Sequence, residues 1–170
     1  MELSLKKLSI EDAKALFEFE LKNKAFFEEM VPTRGEEFYK YEVFLTRLKL
    51  LLLEQEQGIS YFYLIKDEMK TILGRMNVVD IEESSSIGYL GYRVGQEHTG
   101  KGIASKALKL LVEKLSNEGN VKQINAKTTT NNIASQRVLE RNKFEQYAIS
   151  DETIEMNGEK LKFVYYSRKV

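Results

Sequence analysis

The segment EHTGKGIASKALKLLVEKL, residues 97–115, begins as a loop and continues as a helix, and it restricts the possible folds of this chain more than any other segment. Gly100 and Gly102 flank Lys101 just where the helix has to begin. Glycine costs about 1 kcal/mol relative to alanine inside a helix, but it permits a sharp turn and the close approach of another group. Paired apolar residues every four positions predict the helix that follows: Ile103, Ala104, Ala107, Leu108, Leu111, Val112 and Leu115.

The segment before this turn, SIGYLGYRVG, predicts a β-strand whose glycines suggest a bulge or a splay. A strand that leads through glycines into a helix leaves backbone N–H groups unpaired at the positive end of the helix dipole, which suits a phosphate or pyrophosphate. An ordinary strand-to-helix turn has the same pattern. Neither a P-loop motif nor a G-x-G-x-x-G motif is present.

Periodicity along the rest of the chain predicts one domain over residues 1–170. The order is a strand, two helices, three strands, a helix, a strand, a helix and a strand pair. Ser9 and Asp12 resemble a capping box for the first helix, and the second helix is predicted over about 36–56. The connection between them contains the only proline, Pro32, and is predicted to be irregular or short-helical. Asn157-Gly158 predicts a hairpin, and the whole order predicts an α/β fold with a mixed sheet.

Composition excludes several classes of protein. The chain has 26 basic and 26 acidic residues and no net charge, so no nucleic-acid or membrane partner is expected. It has no cysteine and one histidine, His98, which excludes thiol nucleophiles and multi-histidine metal sites. The first residues lack the apolar core of a signal peptide, so a cytoplasmic protein is expected.

Two segments together resemble the GNAT acetyltransferase superfamily. GYRVGQEHTGKGIASKAL is similar to its acyl-CoA-binding signature, and NNIASQRVLERNKF is similar to its next helix, particularly in the RimJ/RimL-like branch of protein N-terminal acetyltransferases. The resemblance implies an α+β fold with a mostly antiparallel sheet of six to seven strands, splayed at the central strand, and about four helices. It also implies acetyl-CoA as co-substrate and no metal.

The resemblance further implies which residues hold acetyl-CoA. Backbone amides from about Thr99 to Ala104 are expected to wrap the pyrophosphate, although Thr99 replaces the usual glutamine or arginine. Other departures are Lys143 in place of a glycine and Tyr89 in place of a glutamate that often precedes the strand's Gly-Tyr. The full set of implied cofactor-binding residues is Arg93, Val94, Thr99, Gly100, Lys101, Gly102, Ile103, Ala104, Ser105, Asn132 and Arg137.

Three residues are candidates for catalysis: Tyr92, Asn132 and Ser135. In the family the splayed strand, here with Tyr92, supplies backbone groups to the pantetheine arm and the carbonyl. Ser135 is the best candidate proton donor, since Leu139 stands where many relatives have a tyrosine, and Asn132 lies on the same helix face. The alternative is that Asn132 caps the helix while Ser135 is a packing residue.

Without the glutamate the site lacks an obvious base, which favours an acceptor that loses its proton easily. An N-terminal α-amine, with a pKa of about 8, fits better than a lysine, with a pKa of about 10.4. The alternatives are a small-molecule amine such as a polyamine or an antibiotic, or a non-catalytic acyl-CoA-binding module. Glu82 and Glu97 are possible distant bases but more simply solvated residues, and His98 is expected to have a packing role. Either a monomer or a homodimer fits the sequence.

The predicted acceptor side is less defined. Phe26, Phe27 and Tyr39 either line a groove over the cofactor or belong to the core. The charges of Arg34 and of Glu36 and Glu37 are expected to face solvent.

Overall fold

The structure is a computed structural model that describes residues 1–30 and 34–170, so Pro32 lies outside the described residues. Seven strands form one mixed sheet in the order β1-β2-β3-β4-β5-β9-β6, and two short strands form a separate hairpin. The predicted sheet of six to seven strands is confirmed. The strands are β1 (Ser4–Lys7), β2 (Tyr61–Lys66), β3 (Ile72–Glu82), β4 (Ile87–Val94), β5 (Gln123–Thr129), β6 (Glu145–Ile149), β7 (Ile154–Met156), β8 (Glu159–Leu161) and β9 (Phe163–Lys169).

Helices cover both faces of this sheet. They are α1 (Ala13–Lys22), α2 (Lys24–Glu28), α3 (Tyr41–Glu56), α4 (Ile103–Glu118) and α5 (Ile133–Arg141). On one face α4 and Leu139 of α5 pack on alternate strand residues such as Met76 and Val78. On the other face α1 and α3 pack on Phe62 and Leu64 of β2. Side chains alternate between the two faces of each strand, which gives the domain two separate apolar layers.

The centre of the sheet is split. β4 and β5 pair in parallel only where Ile87–Tyr89 lie beside Gln123–Asn125. Beyond that point β4 continues to pair with β3 as far as Val94, and β5 continues to pair with β9 as far as Thr129. The two halves of the sheet therefore separate, and one edge of β4 from Leu90 to Val94 faces the gap. This is the predicted splay.

Two segments differ from the predicted elements. The helix predicted over about 36–56 is divided, since Glu36–Tyr39 form a 3₁₀ turn and Lys40 has an extended backbone (ψ 126°) before α3 begins. Asn157 and Gly158 both have positive φ, 53° and 80°, as a two-residue hairpin requires. However, their strands form a separate two-stranded sheet, and the chain then returns to insert β9 between β5 and β6.

None of the helices in the described ranges is both long enough and apolar enough to cross a membrane.

Lys143 is strained in the turn that follows α5. Its φ is +63°, a left-handed conformation that costs a residue with a Cβ about 1–2 kcal/mol and that glycine usually occupies after a helix. We expect Lys143→Gly to raise the free energy of unfolding by about 0.5–1 kcal/mol and Tm by about 1–4 °C. Thermal unfolding measures both quantities.

Lys143→Ala is the matched control, because it removes the charged side chain and keeps the Cβ. An equal gain in Lys143→Ala would show that backbone strain is not the cause.

Candidate functional site

The glycine turn adopts the conformation that a helix-terminus anion site needs. Gly100 and Gly102 have φ of +74° and +75°, and Gly102 is the N-cap of α4. A Cβ added at either glycine would meet no atom within 4 Å, so the space beside both is open. The first helical bond runs from the Lys106 N–H to the Gly102 carbonyl. Among the described residues, the N–H groups of residues 100–105 have no acceptor, which suits them to a phosphate.

Two buried asparagines hold this turn in place. Asn23, at the end of α1, accepts a hydrogen bond from the Gln96 N–H (2.9 Å) and donates one to the Phe19 carbonyl (2.9 Å). Asn142, after α5, donates to both the carbonyl and the hydroxyl of Ser105 (3.2 Å each). Sequence reasoning missed both residues, because a single asparagine next to a helix end carries no distinctive spacing.

A hydroxyl pair lies on the same side of the sheet as α4. The Tyr92 hydroxyl and Ser135 Oγ are 2.8 Å apart, and either can donate. Burial raises the pKa of Tyr92, and the hydrogen bond with Ser135 offsets that only in part, so the phenol keeps its proton at neutral pH. The structure thus brings together two of the three predicted catalytic residues.

The third, Asn132, caps α5. Its Oδ1 accepts a hydrogen bond from the Ser135 N–H at 3.1 Å. This cap fixes the start of the helix that carries Ser135. Leu139, the residue in the tyrosine position of the family, is buried in the core.

The open edge of β4 presents backbone groups to the gap. The Gly95 N–H donates to the Leu73 carbonyl on β3 at 2.8 Å. Because backbone groups alternate in direction along a strand, those of Tyr92 and Val94 point the other way, into the gap between β4 and β5.

The remaining predicted cofactor residues lie in different surroundings. Lys101 and Arg137 are exposed, while the side chain of Ile103 is buried in the core. Thr99 Oγ1 donates to the Gln96 carbonyl at 2.9 Å, within its own turn. The Arg93 side chain lies on the opposite face of the sheet from Tyr92, so only its backbone is near the gap.

The three base candidates named from the sequence are each engaged by, or packed against, other parts of the protein. Glu97 is exposed and pairs with Lys22 at 2.8 Å, and this partner lowers the pKa of Glu97. Glu82 accepts a hydrogen bond from the Tyr89 hydroxyl at 2.6 Å, at the end of β3 where β4 and β5 are still paired. His98 is half-buried and lines a groove against α1.

A buried ion cluster on the α1 face was not predicted. Glu20 is fully buried, and its Oε1 accepts a hydrogen bond from Arg75 at 2.6 Å. Arg34 lies 3.3 Å from the same oxygen, and Arg93 lies 3.8 Å from Oε2. The expectation that Arg34 faces solvent is wrong, because its side chain is only 27% exposed and pairs with the buried carboxylate of Glu20. No local sequence pattern indicates that pairing. Glu36 and Glu37 are exposed, as expected.

The charges in this cluster perturb one another. Burial by itself would raise the pKa of Glu20, but the charges of Arg75, Arg34 and Arg93 outweigh it and hold the pKa below its usual range. Burial, reinforced by Arg34, lowers the pKa of Arg93 to about 10. Glu20 is therefore a permanent counter-ion and has the wrong pKa for a general base.

The three aromatic residues left open by the sequence divide between core and rim. Phe27 is buried in the core, and Phe26 and Tyr39 are partly buried against it. The Arg93 guanidinium lies over the Phe27 ring at 4.8 Å. No group of three or more histidine, cysteine, aspartate or glutamate residues in the described part of the chain is placed to hold a metal ion.

Comparison with known families identifies the fold and the family. Residues 2–145 match the acetyltransferase (GNAT) domain family. The chain belongs to that family, and the resemblance inferred from the sequence is confirmed.

Individual relatives cover most of the chain. It is 26% identical over 153 residues to the probable N-acetyltransferase YjcK of Bacillus subtilis (strain 168), covering 89% of this chain and 84% of the relative. It is 27% identical over 150 residues to the ribosomal protein uS5-alanine N-acetyltransferase of Escherichia coli (strain K12), covering 87% and 77%. Among solved structures, RimL, a ribosomal L7/L12 α-N-protein acetyltransferase in complex with coenzyme A, has the same fold (TM-score 0.89, 24% identity, 99% and 94% coverage).

The contribution of the buried ion cluster to stability can be tested by substituting Glu20. We expect Glu20→Gln to lower the free energy of unfolding at pH 7 by roughly 3–5 kcal/mol, since it leaves buried guanidinium groups without their counter-ion. The pKa of Glu20 is depressed in the fold, so its charge stabilises the fold above the unfolded pKa and loses that effect as the pH falls through the acid range. The difference between the two proteins should therefore shrink in acid, as measured by urea unfolding across pH.

Glu36→Gln is the control, since Glu36 is exposed and pairs with Lys24 at 3.3 Å on the surface. Its effect should stay within about 1 kcal/mol. Equal effects of the two substitutions would contradict the assigned role of Glu20.

Proposed function

We propose that this member of the GNAT family is an N-acetyltransferase that moves the acetyl group of acetyl-CoA to a primary amine, with residues 1–170 acting as one domain. The acceptor in this proposal is the N-terminal α-amine of a protein or peptide. The observation that carries the proposal is the open edge of β4, the strand that carries Tyr92 of the Tyr92–Ser135 pair and leads into the exposed amides of the glycine turn.

The residues around the gap fit acetyl-CoA. The pyrophosphate lies against the amides of residues 100–105, where the left-handed glycines leave open space. The backbone groups of Tyr92 and Val94 hold the pantetheine arm in the manner of an added strand. Asn142 supports this arrangement by fixing Ser105 in the first turn of α4.

The hydroxyl pair supplies the proton that the departing thiolate requires. In this transfer the N–C bond of the amide would form as the C–S bond of bound acetyl-CoA breaks. The proton that the amine nitrogen loses would restore the hydroxyl that protonated the thiolate. Tyr92 and Ser135 share a hydrogen bond in a half-buried site, so the oxyanion left when one hydroxyl gives its proton to the thiolate is stabilised by a hydrogen bond from the other. A thiol pKa of about 8.5 makes only a modest demand on this donor.

The choice of acceptor rests on the surroundings of three carboxylates. In the described part of the chain, Glu20, Glu82 and Glu97 are all engaged by other groups. An α-amine loses its proton near pH 8, whereas a lysine retains it to about pH 10.4. Such a site favours an amine that is partly neutral already. The uS5-alanine relative, whose name specifies an alanine acceptor, is consistent with this choice.

We expect Ser135→Ala and Tyr92→Phe each to lower kcat for acetylation of an alanine-terminated peptide by about tenfold or more. Their effects on the Kd of acetyl-CoA should be much smaller, because neither residue holds the pyrophosphate. Since the hydroxyls act as one unit, the double variant should be little slower than the slower single variant. Thiol release measures the rates, and calorimetry measures binding.

The same peptide with its α-amine acetylated and one lysine left free serves as the acceptor control. Faster acetylation of that lysine than of the α-amine would contradict the proposed acceptor. Tight binding of acetyl-CoA without thiol release from any amine would instead favour the non-catalytic binding module.

A further inference from the structure

A cavity of about 360 Å³ opens on the face of the sheet opposite the Tyr92–Ser135 pair. Its floor is formed by Arg75 and Asn77 of β3, and its wall by α3. The rest of the lining is Arg34 and two aromatic side chains, and apolar side chains form much of the cavity, as is usual for small-molecule and peptide sites. The full lining is Arg34, Phe38, Phe44, Arg47, Leu48, Leu51, Phe62, Arg75 and Asn77.

The charge around this cavity is unbalanced. Arg34, Arg47 and Arg75 line it, and Arg93 joins them through Glu20. The opposing carboxylates are Glu20, within the cluster, and Glu28, whose charge acts on nearby Tyr39. Four guanidinium groups and two carboxylates leave an excess of two positive charges.

This excess is held in partly desolvated surroundings. The Arg34 and Arg93 side chains are 27% and 24% exposed, and Arg75 is 8% exposed. Arg34 also lies over the Phe38 ring at 4.6 Å, which fixes its orientation beside the cavity. Planar guanidinium groups fixed in this way are suited to bind a carboxylate or phosphate.

A hydrogen-bonding group in the cavity also lacks a partner. Asn77 Oδ1 is buried and has no hydrogen-bond donor among the described residues. An unpaired buried oxygen is costly, so it points to a ligand N–H group. A peptide backbone carries such a donor.

The surface of β4 next to the cavity is open at Gly91. Gly91 pairs in register with Asn77 and shares the face of Arg93. A Cβ added at Gly91 would meet no atom within 4 Å. Neighbouring strands lie about 4.8 Å apart, so a group bound at Arg75 is close enough to belong to the same molecule as an amine at the β4 edge.

We infer that this cavity, here called the arginine pocket, binds an anionic group, a carboxylate or a phosphate, of the molecule that carries the acceptor amine. The inference rests on the proposed function and specifies its substrate class as acidic acceptors, such as protein N-termini with acidic residues next to the terminus. The anion binds to Arg34, Arg47 and Arg75, and a backbone N–H of the same molecule donates to Asn77. A polycationic acceptor would meet an excess of positive charge and is excluded from the pocket.

The test compares C-terminally amidated peptides that differ only at positions two and three. The peptides begin Ala-Glu-Glu, Ala-Gln-Gln, Ala-Lys-Lys and Ala-phosphoSer-phosphoSer. We expect kcat/KM to be about tenfold or more higher for the Glu peptide than for its Gln isostere, and lowest for the Lys peptide. The phosphoserine peptide distinguishes phosphate from carboxylate as the preferred oxyanion.

Equilibrium binding separates this inference from the proposed function. The same peptides are titrated into the protein saturated with CoA, where no transfer takes place. Tighter binding of the Glu peptide without turnover supports the pocket and contradicts the catalytic proposal. Equal binding and equal kcat/KM of the Glu and Gln peptides overturn the pocket, even if both are acetylated.

Two charge-reversal variants test whether the arginine pocket causes the preference for the Glu peptide over the Gln peptide. Arg47 is exposed and has no ion pair in the described part of the chain, so Arg47→Glu should fold. This variant should reduce the ratio of kcat/KM for the Glu peptide to kcat/KM for the Gln peptide to about threefold or less. Arg141→Glu, on exposed α5 across the sheet, is the matched charge reversal and should leave the ratio unchanged. A ratio that falls equally in both variants, or only at low salt, would show long-range steering and overturn the pocket.

Discussion

The separation of β4 from β5 beyond Tyr89 and Asn125 is the constraint on which the rest of the structure depends. Each strand keeps its other neighbour, so the split exposes one edge without dissolving the sheet. Unpaired strand edges are usually covered, because they pair readily with other extended chains. Here the edge is left open beside the start of α4, and an extended ligand arm can take the place of the missing strand.

The two faces of the sheet offer different chemistry at this opening. On the α4 face the groups are neutral: backbone amides and the hydroxyls of Tyr92 and Ser135. On the α1 face the groups are charged, with Glu20 buried among arginines. Alternation along β4 produces this division, since Tyr92 and Arg93 are neighbours that point to opposite faces. A cofactor on one face and an acidic acceptor on the other would meet at the same strand edge.

Local sequence patterns predicted most of the fold, but they could not predict which distant segments and side chains pair. The α4 helix, the strand β5 and the Asn157-Gly158 turn follow from periodicity and turn chemistry within a few residues. The insertion of β9 between β5 and β6 does not, because sheet order depends on contacts between distant segments. For the same reason Tyr92 and Ser135 could be named but not paired, and the partnership of Arg34 with Glu20 was missed. Composition does not indicate the arginine pocket either, since a net charge of zero for the whole chain is compatible with a local excess of positive charge.

The most direct measurement is calorimetric titration of acetyl-CoA, with ATP as a control ligand, into the protein and two glycine variants. Gly102 and Gly119 are the left-handed caps of α4 at its two ends, each with open space beside it. Gly102→Val and Gly119→Val therefore impose similar backbone strain, about 1–2 kcal/mol, but only the first fills the proposed pyrophosphate site. We expect micromolar binding of acetyl-CoA that survives in Gly119→Val and is lost in Gly102→Val, with both variants folded. Unchanged affinity in Gly102→Val, or no binding by the unaltered protein, would contradict the proposed pyrophosphate site at the glycine turn.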